Sequence, residues 1–267
     1  MKKYFKILLC LFSFNMSFSQ VVFELNADTS EFPTIRNKIK DQSIFIRLDT
    51  NNFNAYVKRS QLKYQLGDYK EAIKDINQLI RLRPTSADAF TNRGMCYVFL
   101  KDFKLALADL DNAIKFDSKN AMNYLNRAYC KGENKNYNGA ILDLNIAIQL
   151  RPDYIKAFAN RGFMKKKLKL YKEALLDCNK AIELNPNYVE CLISRADVKY
   201  LLKDYSGAVT DYDKVLEVVP SLMSYSFYKA RAEAFEKLGD TVNSKLNYEK
   251  ADTFKKDSIV PMYNQLR

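Results

Sequence analysis

Asparagine and arginine stand side by side at 92–93, 126–127 and 160–161, so one dipeptide returns every 34 residues. Both side chains suit recognition chemistry. An amide carries a donor and an acceptor together, so a row of asparagines can pair with the peptide units of an extended chain whatever its sequence. A guanidinium grips carboxylates, whether of a ligand or of its own fold. The arginine series is the longer one: Arg59, Arg93, Arg127, Arg161, Arg195 and, after a two-residue insertion, Arg231. Sixteen residues after them come Asp75, Asp109, Asp143, Asp177 and Asp211, with Asn247 in the last place. This matched recurrence favours internal ion pairs over a row of arginines facing an acidic ligand. Removing one partner of such a pair strands the other charge.

Other chemistries lack their parts. The chain has no histidine, which removes the commonest general base and the commonest metal ligand. It has no CxxC, no P-loop and no glycine-rich fingerprint. Cys96 and Cys130 share one position in successive repeats, which stacks them about a helix pair apart and beyond disulfide reach. Cys178 and Cys191 fall on adjacent helices at unequal heights from the turn between them. All four read as small buried hydrophobes. We expect no catalytic residue, no metal site and no cofactor.

The elements that carry these residues follow from the same period. Small residues recur at Ser60, Gly94, Ala128, Gly162, Ala196 and Ala232, and again at Ala72, Ala106, Ala140, Ala174, Ala208 and Ser244. Rings stand at Tyr56, Phe90, Tyr124, Phe158 and Tyr228, with Leu192 between, and at Tyr69, Phe103, Tyr137, Tyr171 and Tyr205, with Thr241 last. Pro84, Pro152, Pro186 and Pro220 close repeats, and Ser118 replaces one. Each unit reads as two amphipathic helices joined by a tight turn such as LGDY at 66–69. Small residues let the paired helices approach and rings fill the space beside them. Proline ends the second helix. One pair cannot bury its apolar face alone, so six pairs over 53–256 are expected to stack on a continuous core.

This pattern resembles the tetratricopeptide-repeat family over about three quarters of the chain. The resemblance implies an all-α, right-handed superhelical solenoid of six repeats that binds another protein and catalyses nothing. The sixth unit, with Thr241, Ser244 and no closing proline, has the decay of a capping repeat. Residues 20–52 hold no complete unit, and IRLDTNN at 46–52 mimics the end of a second helix. A lone helix at about 34–48 is therefore expected to cover the first repeat. Residues 257–267 form a tail.

In the family, the position just before the arginine faces the concave inner surface. Here it is occupied by Lys58, Asn92, Asn126, Asn160, Ser194 and Ala230. Three asparagines there resemble the ladder that holds extended peptides in the repeat domain of O-linked N-acetylglucosamine transferase, without that enzyme's catalytic domain. The alternative is that they are exposed and idle. Met95, Phe99, Met122, Leu125, Tyr129 and Phe163 are expected to line the same groove, or else to pack between adjacent first helices. Lys156, Lys166 and Lys167 make part of it basic, and Glu190, Asp197, Glu233 and Glu236 make the far part acidic. KKKLKLYK at 165–172 can be read as an anion site or as a solvated face. The lysine and asparagine pattern of carboxylate-clamp members is not reproduced.

Residues 1–19 read as a cleavable signal peptide: MKKYFK is basic, ILLCLFSFNMSF is apolar, and Ser17 and Ser19 are small. Cleavage after Ser19 leaves Gln20 first. The apolar run is shorter than the roughly 20 residues that span a bilayer, and no transmembrane segment is expected after cleavage. Loss of Lys2, Lys3 and Lys6 lowers the net charge from +12 to +9. A basic chain often binds nucleic acid, but export to a periplasmic or extracellular setting argues for protein partners or an anionic envelope surface instead. With 48% hydrophobic and 28% charged residues, seven glycines and six prolines, the composition is neither disordered nor loop-rich. A second expectation is a structural role in an envelope complex, through the convex face or the solenoid ends.

Overall fold

The computed structural model describes residues 32–222 and 224–257. All regular structure among them is α-helical: α1 (Phe32–Leu48), α2 (Phe53–Gln65), α3 (Tyr69–Leu82), α4 (Ala87–Phe99), α5 (Phe103–Phe116), α6 (Ala121–Glu133), α7 (Tyr137–Leu150), α8 (Ile155–Lys167), α9 (Tyr171–Leu184), α10 (Val189–Leu201), α11 (Tyr205–Val218), α12 (Tyr225–Lys237) and α13 (Thr241–Asp257). The fold is of the solenoid class, a run of helix hairpins. The expected signal peptide with its cleavage site, and nearly all of the expected tail, lie outside the described residues. No helix among the described residues is long and apolar enough to cross a membrane.

Each hairpin turns by the same hydrogen bonds. After α2 the Gly67 amide donates to the Tyr64 carbonyl and the Asp68 amide to the Lys63 carbonyl, the two bonds of a Schellman motif. The residue that completes this motif then opens the next helix. Asp102, Asn136 and Asp204 each accept an amide of the following first turn, which satisfies a donor the helix cannot. The motif needs one left-handed residue per turn. Glycine fills it at Gly67 and Gly239, but lysine fills it at Lys101, Lys135, Lys169 and Lys203, with φ between 61° and 67°. A residue with a Cβ is disfavoured there by roughly 1–2 kcal/mol, partly offset because glycine loses more freedom on folding. We expect Lys135→Gly to raise the unfolding free energy by about 0.5–1 kcal/mol in urea titration. A fall in stability would show that the lysine side chain outweighs the backbone preference.

The described hairpins fall into two compact units that divide between residues 164 and 165. In the first unit, Ile46 of α1 joins Tyr56, Ala72, Ile76 and Leu79 in one cluster, so α1 covers the apolar flank of α2 and α3. Leu144, Ala147, Tyr154 and Ala157 form another cluster around α7. In the second unit Leu192, Tyr212, Val215, Phe227 and Tyr228 form the core, and Phe254 of α13 stacks on Tyr228 at 5.6 Å. The small residues do what close helix approach demands. Ala72, Ala106, Ala140, Ala174 and Ala208 are wholly buried.

Candidate protein-binding face

The arginines of the repeat are consumed by the fold. Nε and Nη2 of Arg59 donate to the two carboxylate oxygens of Asp75 at 2.9 and 2.7 Å. Arg93 meets Asp109 at 2.8 and 2.7 Å, Arg127 meets Asp143 at 2.9 and 2.7 Å, and Arg195 meets Asp211 at 2.9 and 2.6 Å. This paired-fork geometry is the strongest form of the interaction. The hydrogen bonds they donate to these aspartates hold all four guanidiniums above their ordinary pKa.

A third contact was not read from the sequence. Nη1 of each arginine reaches back to the helix before its own: to Ser43 from Arg59, Asn77 from Arg93, Asp111 from Arg127, Asn145 from Arg161 and Asn179 from Arg195, at 2.7 to 3.0 Å. These acceptors also recur every 34 residues. One turn beyond each arginine a lysine adds a second cation: Lys63 to Asp75, Lys131 to Asp143, Lys165 to Asp177 and Lys199 to Asp211, at 2.7 to 2.9 Å. Tyr97 takes that place beside Asp109.

The asparagines differ from the arginines. Asn92 is exposed and Asn126 and Asn160 are half-buried, at one register position of α4, α6 and α8 within the first unit. Among the described residues, no hydrogen bond is recorded for any of the three side-chain amides. Met122, one turn before Asn126 on α6, is 52% exposed. The other apolar residues expected in the groove are largely spent on packing. Leu125 is 8% exposed and belongs to the core of α6 and α7; it lies one residue before Asn126, a step of about 100° around the helix that turns it inward. Phe99 stacks on Tyr69 at 4.7 Å and meets Tyr64 edge-on at 5.4 Å. Met95 and Tyr129 lie against Val98, Leu110 and Cys130, and Phe163 against the α6–α7 cluster. What remains is a mostly polar face with three amides spaced by the repeat.

Residues 57–121 and residues 155–188 match models of the tetratricopeptide repeat. The chain carries tetratricopeptide repeats. No curated protein matches it by sequence. Among solved structures it is similar to PilF of Pseudomonas aeruginosa (22% identity, 77% of this chain and 97% of that one, TM-score 0.67). It is also similar to PilW, a type IV pilus biogenesis factor (16%, 75% and 92%, 0.69), and to YrrB (16%, 68% and 94%, 0.52). At these identities the likeness is one of fold.

The basic run of this tetratricopeptide-repeat protein is partly structural. Lys165 is bound to Asp177, and Lys166 reaches Asp197 at 2.8 Å. Asp197 also accepts from the buried Tyr212 hydroxyl at 2.9 Å. These groups line a cavity of about 270 Å³ with Tyr200 and Glu233. The change of sign expected along the groove is therefore smaller than the sequence suggested, because Lys166 and Asp197 neutralise each other. The sixth repeat departs from the family rule in its wiring. Arg231 gives Nε and Nη2 to Asp213 of α11 and only Nη1 to Asn247.

Proposed function

We propose that this tetratricopeptide-repeat chain is an exported, non-catalytic scaffold that holds an extended segment of a partner protein on the face of α4, α6 and α8. The observation that carries the reading is the row of three amides at one register position, with no internal hydrogen bond recorded for any of them. Each offers a donor and an acceptor to a peptide backbone. Met122 supplies exposed apolar area one turn before Asn126. YrrB is described as having an unusual peptide-binding site and PilW as a pilus biogenesis factor; both are in keeping with a protein-binding, envelope-associated role. The N-terminal residues 1–19 supply the export signal, and the mature chain begins at Gln20.

A second reading, a structural subunit of an envelope complex, is favoured by apolar residues left exposed on second helices: Leu105 on α5 and Leu142 and Ile146 on α7. The two readings separate by mutation. A partner is first identified by crosslinking in the native envelope and then titrated against purified protein. If the amide row is the site, Asn92→Ala, Asn126→Ala and Asn160→Ala together weaken binding. At about 0.5–1.5 kcal/mol per lost hydrogen bond, the loss is roughly tenfold to two-thousandfold. The melting curve stays in place, since polar positions outside the core carry little folding energy. Unchanged affinity for the triple variant, with loss in Leu142→Glu, assigns the contact to the second-helix face. N-terminal sequencing of the protein from cells tests export: a start other than near Gln20 counts against it.

A further inference from the structure

The contact between the second helix of one repeat and the first helix of the next recurs at fixed positions. In the first unit Ile76 and Ala89 share a cluster, as do Leu144 and Ala157. In the second unit Tyr212 and Phe227 meet edge-on with ring centroids 5.3 Å apart. Cys178 of α9 and Cys191 of α10 occupy this same pair of positions, where the other repeats, Asn123 apart, place aliphatic or aromatic groups. Both are fully buried, and each acts on the other's titration, moving Cys178 down and Cys191 up.

That contact corrects the unequal heights expected from the sequence. Asn185 and Tyr188 are extended, with φ and ψ of −146° and 100° and of −76° and 92°. A linker that advances about 3.3 Å per residue brings the chain back along the roughly 9 Å by which α9 overruns Cys178.

The surroundings set this pair apart from the other two buried cysteines. The Ser194 hydroxyl is buried without a hydrogen-bond partner, and the Lys166 ammonium adds positive potential at Cys178. The neighbouring Cys191 holds Cys178 below the ordinary thiol range, and Cys178 with burial holds Cys191 above it. Cys96 and Cys130 differ: burial pushes each up to about 12, and Cys130 sits against the Phe103 carbonyl oxygen at 3.9 Å.

We propose that Cys178 and Cys191 are an oxidisable pair that closes as a disulfide joining α9 to α10. The oxidant is a protein disulfide of the thiol–disulfide oxidoreductase class. The Cys178 thiolate attacks one sulfur of that disulfide and the other leaves as a thiolate. Cys191 gives up its proton and attacks the Cys178 sulfur, releasing the second oxidant sulfur. Two protein thiols and one disulfide become one protein disulfide and two thiols. Because both sulfurs are buried in the folded chain, exchange takes place before α9 and α10 stack, and folding then shields the bond. That the chain meets such an oxidant rests on the export proposed above; that the pair closes does not.

The test therefore uses purified full-length chain, unfolded and refolded in a glutathione redox buffer, alkylated and digested with trypsin. Cleavage after Lys180 separates the two cysteines, so closure joins EALLDCNK (173–180) to AIELNPNYVECLISR (181–195). Reduction should lower the melting temperature by about 5–10 °C, from the loop-closure effect of a loop this size, and should not do so in the Cys178→Ala, Cys191→Ala double variant. Recovery of both cysteines alkylated, or joined to Cys96 or Cys130 instead, overturns the proposal. Closure in the purified protein with thiols reduced in cells supports the pair and counts against export.

Discussion

Arg93→Ala is expected to lower the unfolding free energy by about 3–5 kcal/mol, the cost of stranding a buried carboxylate, and to cost more than Arg127→Ala. The two sites differ by one neighbour. Asp143 keeps Lys131 at 2.7 Å when Arg127 is removed. Asp109 is bound by Arg93, and Tyr97 stands where the lysine would be. Both aspartates are almost fully buried, so the charge left behind cannot be hydrated. In urea titrations Arg127→Ala should fall short of Arg93→Ala by about 1–2 kcal/mol, since a charge-assisted bond to the carboxylate survives. Arg127→Ala combined with Asp143→Ala should cost less than the two single changes summed. Additivity in that cycle, or equal costs at the two arginines, overturns this account of the pairing.

Leu110→Ala should cost about 2–5 kcal/mol, the range for emptying a fully buried leucine site. Leu110 has no exposed surface and lies where α5 meets Gly94 of α4. A methyl group on Gly94 would fall 3.0 Å from Leu110 Cγ and 3.2 Å from the Ala106 carbonyl oxygen, so Gly94→Ala alone crowds a packed site. With Leu110 truncated, its Cγ no longer crowds the added methyl, while the 3.2 Å approach to the Ala106 carbonyl oxygen remains and helix propensity gives back up to about 1 kcal/mol. Gly94→Ala should therefore be unfavourable or neutral in the natural background and less unfavourable beside Leu110→Ala. Thermal or urea unfolding of the four proteins checks the difference. The same effect in both backgrounds would show that Leu110 is not what excludes the methyl.

The hairpins were legible because their signal is redundant: a small residue, a ring and a proline each repeat at 34, and a lapse such as Ser118 leaves the others standing. The backward contact of each arginine was harder to see. Its acceptors are Ser43, Asn77, Asp111, Asn145 and Asn179, a series constant in position but mixed in chemistry, so no single residue type announces it. Leu125 was misplaced because a groove reading follows family positions, whereas burial follows the 100° turn from one helical residue to the next. The cysteine contact was missed because height along a hairpin was counted from the turn without the extended run of the linker. The asparagine row is legible as a pattern. Its use depends on a partner whose chemistry is written in another chain.

The backward reach of the arginines bears on how such a chain changes length over evolutionary time. Every 34-residue block carries the guanidinium that engages the block before it and the amide or carboxylate that the block after it engages. Duplicating or deleting one whole block leaves each new junction with both halves of its contact already present. The correspondence also survives the two extra residues before Arg231, because Asp213, 34 residues after Asn179, is still the backward acceptor. There the carboxylate of Asp213 lies 18 residues back and takes the paired contact, while the arginine's own hairpin keeps a single bond to Asn247. Growth by whole blocks is thus close to neutral for the junctions, and drift in block length is tolerated where this chain shows it, in the last hairpin.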